Sequence, residues 1–196
     1  MIKLLDILEN KILVPRRSKE ERQKNYQITI QRKVQQYIKG GSKGDLNFGG
    51  SPITSLPDSL KKVGGDLSLY SSKITSLPNN LKVGGRLSLH NTPITSLSGN
   101  LQVEEDLYLM NTSIISLPNN LKVGGDLYLN NTPITSLSNN LQVGENLDLS
   151  NTKITSLPNN LQVGGDLFLR NTPISKKYSK EEIRKMVPGV KGEIYF

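Results

Sequence analysis

Residues 74–93 read Ile-Thr-Ser-Leu-Pro-Asn-Asn-Leu-Lys-Val-Gly-Gly-Arg-Leu-Ser-Leu-His-Asn-Thr-Pro, and near copies of this unit lie on both sides. Aligning Ile53, Ile74, Ile94, Ile114, Ile134, Ile154 and Ile174 gives a spacing of 21 once and 20 five times, the extra residue being one Lys of Lys61-Lys62. A fixed short period of this kind is the mark of a solenoid, in which each unit buries its apolar face against its neighbours. Gly125-Asp126-Leu127-Tyr128-Leu129-Asn130 alternates polar and apolar, as a strand with one buried face does. Gly-Gly precedes it, and Asn-Thr-Pro follows; Pro133 has no N–H for a ladder, so the strand stops before it. The return segment, Leu-Pro-Asn-Asn-Leu, is too short and turn-rich for a helix. It is predicted as polyproline or a tight turn, with Asn accepting left-handed geometry.

Six apolar columns then point inward. They begin at Ile53, Leu56, Leu60, Val63, Leu67 and Leu69 and recur in the following coils. With Gly44-Asp-Leu-Asn-Phe48 at one end and Gly192-Glu-Ile-Tyr-Phe196 at the other, the sheet counts eight strands. At the usual interstrand spacing it would be roughly 34 Å across.

The segment Leu127-Tyr128-Leu129-Asn130-Asn131-Thr132-Pro133-Ile134 resembles the leucine-rich-repeat pattern L-x-L-x-x-N-x-L, with Thr132 where Asn usually stands. The 20-residue period is similar to that of the shortest bacterial leucine-rich repeats, found in secreted effectors. It is more similar still to the Leu-Pro-Asn-Asn-Leu-x-Val-Gly-Gly-Asp-Leu-x-Leu repeats of tailed-phage proteins. The resemblance covers residues 44–174. It implies an α/β solenoid, a right-handed coil with one parallel β-sheet of about eight short strands, used as a non-enzymatic scaffold for binding other proteins. A phage protein of this kind would act in the host-cell cytoplasm, on a host factor that it blocks or recruits. Two departures from the family pattern stand out. Ser51, Ser72, Thr92, Thr112, Thr132, Thr152 and Thr172 replace the inward Asn, and Gly-Gly replaces the Leu that opens the strand, which should pinch the coil there.

The ends are expected to close the core. Ser18-Lys-Glu-Glu21 is a capping box, and Tyr26, Ile30, Val34, Tyr37 and Ile38 form an apolar stripe at helical spacing, stopped by Gly40-Gly41. Ile2, Leu5, Leu8 and Ile12 suggest a shorter helix before it. A second capping box, Ser179-Lys-Glu-Glu182, precedes Ile183, Met186 and Val187. The organisation is thus a helical basic N-terminal cap over 1–43, a leucine-rich-repeat solenoid over 44–174, and a helix-plus-strand cap over 175–196.

Composition narrows the function. Leu, Ile, Val and Phe make up about 30% of the 196 residues, more than a disordered chain carries. Ala is absent, which argues against a helical bundle; Cys is absent, which removes disulfides, thiol catalysis and Cys-based zinc sites. No apolar run approaches a membrane span, and Asp6 and Glu9 interrupt the N-terminal apolar stretch, so it makes a poor signal peptide. The cytoplasm is the expected location, with no membrane association. Residues 1–43 carry 11 basic and 4 acidic side chains, 44–173 carry 8 and 10, and 174–196 carry 6 and 3, so the basicity belongs to the ends. Arg16, Arg17, Lys19, Arg22, Lys24, Arg32 and Lys33 could line phosphates or contact a partner, and nucleic-acid association through them is one alternative function. The plainer reading is a capping helix with a solvated face. A structural role in a virion or another assembly is a second alternative.

Catalytic chemistry finds little support. His90 is the sole histidine, at an outward strand position, and forms neither a His-based metal cluster nor a second imidazole of a triad. Asp45, Asp66, Asp106, Asp126 and Asp166 occupy one position in successive coils, interrupted by Arg86 and Asn146. The nine-residue period of calcium-binding solenoids is missing, and the simpler reading is that these carboxylates bond backbone amides where each strand opens. Each Gly-Gly leads into a strand and not a helix, so no phosphate cradle follows. No enzyme activity, metal, cofactor or small-molecule substrate is expected. What varies is the outer face: Asn47, Ser68, Ser88, Tyr108, Tyr128, Asp148, Phe168 and Tyr195 in one column, Gly49, Tyr70, His90, Met110, Asn130, Ser150 and Arg170 in the next. Against a nearly constant framework, Tyr70, His90, Tyr108, Met110, Tyr128, Asp148, Phe168 and Arg170 are the candidate contacts for a protein partner, with aromatics and Met forming a patch of interface-like composition.

Overall fold

The computed structural model describes residues 18–196. The expected short helix over 2–12, with Arg16 and Arg17, lies outside them. Helix α1 spans Lys19–Lys39; its capping box forms, with the Glu21 N–H donating to Ser18 Oγ at 3.1 Å and the Ser18 N–H to Glu21 Oε2 at 2.8 Å. Gly41, at φ 85°, turns the chain out of the helix in the left-handed region that glycine adopts without strain.

Each coil then contributes two very short strands. The first set, β1 (Leu46–Asn47), β3 (Leu67–Ser68), β5 (Leu87–Ser88), β7 (Leu107–Tyr108), β9 (Leu127–Tyr128), β11 (Leu147–Asp148) and β13 (Leu167–Phe168), is completed by the C-terminal β14 (Ile194–Tyr195). They pair in that order as one parallel eight-stranded sheet. Leu127 pairs with Leu107 on one side and Leu147 on the other, one coil per repeat without slip.

The return segments add a second sheet to the expected one. Strands β2 (Lys62–Val63), β4 (Lys82–Val83), β6 (Gln102–Val103), β8 (Lys122–Val123), β10 (Gln142–Val143) and β12 (Gln162–Val163) form a parallel six-stranded ladder. Their Val side chains are buried and their Lys or Gln side chains exposed. Val190 extends the ladder by a bridge to Val163. The two sheets meet at Gly-Gly, where the coils come close. A Cβ on Gly144 would fall on the Gly124 carbonyl oxygen, and one on Gly164 on that of Gly144. Where Glu104-Glu105 replaces the glycines, the Glu105 N–H to Gly85 O bond lengthens to 3.4 Å, against 3.0 Å for Gly85 on Gly65.

The turns obey the asparagine expectation. Asn80, Asn100, Asn120 and Asn140 lie at φ 58–60°, and Asn91, Asn111, Asn131, Asn151 and Asn171 at 56–60°. Asn accepts this left-handed geometry more readily than other side chains. Several also stack as side-chain pairs between coils, such as Asn111 Nδ2 to Asn91 Oδ1 at 3.0 Å. The inward Thr column is buried, each hydroxyl donating to the Leu carbonyl three residues earlier, as Thr132 Oγ1 does to Leu129 O at 2.6 Å. The six apolar columns form one continuous core, with only Leu157 partly exposed among them.

Both ends are closed. Ile30 and Val34 of α1 are buried against the first coil. Gln23 and Gln27 donate to Pro52 O and Ser55 O, each at 2.7 Å, and Tyr37 Oη donates to Gly44 O at 2.7 Å. These side-chain donors tie the helix to backbone carbonyls of the first coil, beside the Gly65 N–H that Gly44 O already accepts at 2.8 Å. At the other end a short α2 (Pro173–Lys177) starts on the N-cap Thr172, an element the sequence reading did not anticipate, and Ile174 stays in the core. Then α3 (Lys180–Met186) carries the second capping box and buries Ile183. Among the described residues no helix is long and apolar enough to cross a membrane.

Candidate functional site

On the outer face of the first sheet, side chains two residues apart point the same way, so each strand displays three columns. The first column holds the aspartates. Asp126 Oδ1 accepts the N–H of Asn146, one coil on, at 2.8 Å; Asp106 Oδ1 accepts that of Asp126 at 3.0 Å, and Asp45, Asp66 and Asp166 act alike toward Asp66, Arg86 and Glu193. The aspartates therefore bond backbone amides as the sequence suggested, but across coils. Asn146 keeps the ladder through its Oδ1, which accepts from Asp166 N at 2.8 Å. Arg86 has no acceptor to offer. Its Nε instead pairs with Asp106 Oδ2 at 3.2 Å and Glu105 Oε2 at 3.5 Å.

The second oxygen of two aspartates ties down a ring. Tyr108 Oη donates to Asp106 Oδ2 at 2.9 Å, and Tyr128 Oη to Asp126 Oδ2 at 2.7 Å. The two phenol rings stack at 5.0 Å with planes 7° apart. Burial, and then the bond to Asp106, push the Tyr108 phenol above its ordinary value. For Tyr128 the bond to Asp126 leads and burial follows, with the larger upward shift. Both stay protonated hydrogen-bond donors at neutral pH.

The remaining candidates fall into separate groups. Phe168 stacks on Tyr195 at 5.0 Å. Tyr70 stacks on His90 at 5.2 Å, with planes 5° apart, and fills the space that the missing side chain of Gly49 leaves open. His90 Nδ1 is buried without a hydrogen-bond partner. Met110 follows His90 in the third column, half-buried, and Arg170 ends that column exposed. The aromatic residues of this face form three stacks, with Asp148 standing between Tyr128 and Phe168. Tyr195, Asp106 and Asp126, which are not among the candidate partner contacts, also belong to this face. The signal was the period of two, which sets Asp126 beside Tyr128.

On α1, Lys19, Arg22, Lys24, Arg32 and Lys33 are all exposed; Lys33 also reaches the first coil, its Nζ donating to Asn47 O at 3.4 Å and lying 4.9 Å from the Phe48 ring centre. Among the described residues no group of three or more acidic or histidine side chains converges as a metal site. A depression of about 670 Å³ runs along the second sheet over Gly124, Gly144 and Gly164 between Lys and Gln side chains. It lies away from the aromatic columns, and its flexible walls make the aromatic face the better candidate.

No protein-family model and no curated protein matches the sequence. Among solved structures the chain is similar to a leucine-rich-repeat protein of Leptospira interrogans, with 23% identity and a TM-score of 0.35, over 76% of this chain and 54% of the other. The chain therefore spans about half the length of that neighbour.

Proposed function

We propose that the protein is a non-enzymatic interaction module that docks a partner protein on the outer face of the first sheet. The contacts are Tyr70, His90, Tyr108, Met110, Tyr128, Asp148, Phe168 and Arg170. The observation that carries this reading is the locked pair Tyr108–Tyr128, stacked at 5.0 Å with each hydroxyl held by an aspartate. Rings fixed before binding lose little rotamer freedom on docking, and large amphipathic rings are the residues that dominate interface energies. In this reading residues 1–43 and 175–196 serve as caps, and 44–174 is the displayed surface. A host protein as the partner draws its support from the sequence resemblance to tailed-phage repeats.

The test is affinity purification with the full chain and with a Tyr108→Ser, Tyr128→Ser variant whose circular dichroism spectrum and unfolding midpoint are checked. A partner retained by the native chain and lost by the variant supports docking on this face. Undiminished capture by a folded variant sinks it.

A further inference from the structure

The outward column of the first sheet is a ladder of rings with one rung missing. Tyr108 and Tyr128 stack at 5.0 Å, and so do Phe168 and Tyr195; Asp148 holds the single place between the two pairs. Tyr128 and Phe168 are two strands apart, roughly 9–10 Å at normal interstrand spacing. The side chain of Asp148 is too short to fill that gap. It leaves a slot one planar group thick, with a ring on either side at the same spacing the existing stacks use.

The floor of the slot is anionic and incompletely paired. Asp148 Oδ1 accepts the Ser150 N–H at 2.8 Å, and among the described residues Oδ2 has no hydrogen bond and Asp148 no ion pair. Asp166, which precedes Phe168 by two, is unlike Asp106 and Asp126. Its Oδ1 accepts the Glu193 N–H at 2.7 Å, but Phe168 has no hydroxyl to occupy Oδ2. Two aromatic walls and two unsaturated carboxylates ask for one chemistry: a flat cation with several N–H donors.

We propose that this slot takes the guanidinium of an arginine on the partner protein, stacked between Tyr128 and Phe168 and bonded to Asp148. The assignment rests on the docking reading for its biological occasion, but its chemistry is testable without the partner. Guanidinium is planar, stacks on aromatic faces and presents five donors in a fork that fits a carboxylate, whereas ammonium does none of these. Charge at the slot is complementary: Asp148 and Asp166 border it, and the exposed Arg170 in the next column forms no ion pair with either among the described residues.

The experiment titrates N-acetyl-arginine amide into the full chain and follows it by NMR. The expected result is nuclear Overhauser contact from the arginine δ-methylene to the ring protons of both Tyr128 and Phe168. Affinity should fall about tenfold in Asp148→Asn, which removes a charge-assisted bond. It should vanish in Asp148→Tyr, which fills the gap with a fifth ring. N-acetyl-lysine amide and the citrulline analogue should bind at least about fivefold more weakly. Lack of contact to the two rings, or an affinity unchanged by Asp148→Asn, overturns the assignment. Equal binding of lysine makes the site a general cation contact, equal binding of citrulline an uncharged stacking contact, and either overturns it as well. The two readings fail separately. Partner capture that needs Tyr108 and Tyr128, alongside no arginine binding, removes the slot and leaves docking; arginine binding alongside capture indifferent to those tyrosines removes docking on this face.

Discussion

On the second sheet the outward column reads Lys62, Lys82, Gln102, Lys122, Gln142, Gln162; on the first it reads Ser68, Ser88, Tyr108, Tyr128, Asp148, Phe168. The same coils build both, each strand pointing one side chain of a constant apolar column inward and one side chain outward. The difference lies in what the outward side chains have to lose. Lys and Gln keep many rotamers in solvent and are costly to immobilise. The rings of the first sheet are already stacked and, at Tyr108 and Tyr128, already hydrogen-bonded. Repetition alone yields the monotonous face. The irregular face is the one on which a partner can gain binding free energy without first ordering the surface.

The comparison breaks first in the core if the two sheets do not share one framework. Leu127→Ala in the first sheet should destabilise by about 2–5 kcal/mol, and Val123→Ala in the second by about 1–3 kcal/mol, both in one cooperative urea transition. Two separated transitions would mean that the sheets fold independently. On the surfaces, Tyr108→Ser with Tyr128→Ser should weaken partner binding by about thirtyfold or more. Lys82→Ser with Lys122→Ser, measured in the same calorimetric titration, should leave it nearly unchanged. Equal losses would erase the distinction between the faces.

A finer test concerns the aspartate ladder, which the second sheet lacks. Asp126→Ala strips the acceptor from both Asn146 N–H and Tyr128 Oη and should cost about 1–2 kcal/mol in thermal unfolding. Asp126→Asn keeps an oxygen facing the Asn146 amide, as Asn146 itself does for Asp166, and should stay within about 0.5 kcal/mol of native. The smallest effect is electrostatic. The Tyr108 and Tyr128 phenols titrate higher in the folded chain than their ordinary value of 10.0. Above pH 10 the folded state therefore retains protons that the unfolded state releases. Their contribution is fully present below pH 10 and declines as pH rises beyond it. A denaturation series from pH 8 to 11 should show a shallower alkaline decline for Tyr108→Phe, Tyr128→Phe than for the native chain.

Much of this was legible before any coordinates. The spacing of Ile53 to Ile174 sets the coil, and alternation around Leu127 and Leu129 separates inside from outside, because strand side chains point in turn to opposite faces. The capping boxes at Ser18 and Ser179 announced their helices. The second sheet was missed because Lys-Val and Gln-Val are two residues long, below any length at which alternation can be seen. Helix α2 was missed because Ile174 still satisfies the repeat while Thr172 and Pro173 already begin a helix. A column read from the sequence shows which residues are neighbours but not which rings stack or which carboxylate is left over.

By itself the sequence determined the repeat, the identity of the buried columns and the order of the displayed ones, since each follows from local alternation copied at a constant interval. The tertiary structure decided the relations between coils: that Asp126 reaches the amide of Asn146, that Gly144 rests on the carbonyl of Gly124, and that the rings stack in three separate pairs. Those relations depend on how closely one coil lies upon the next, a distance set by the packing of every column together and carried by no single repeat.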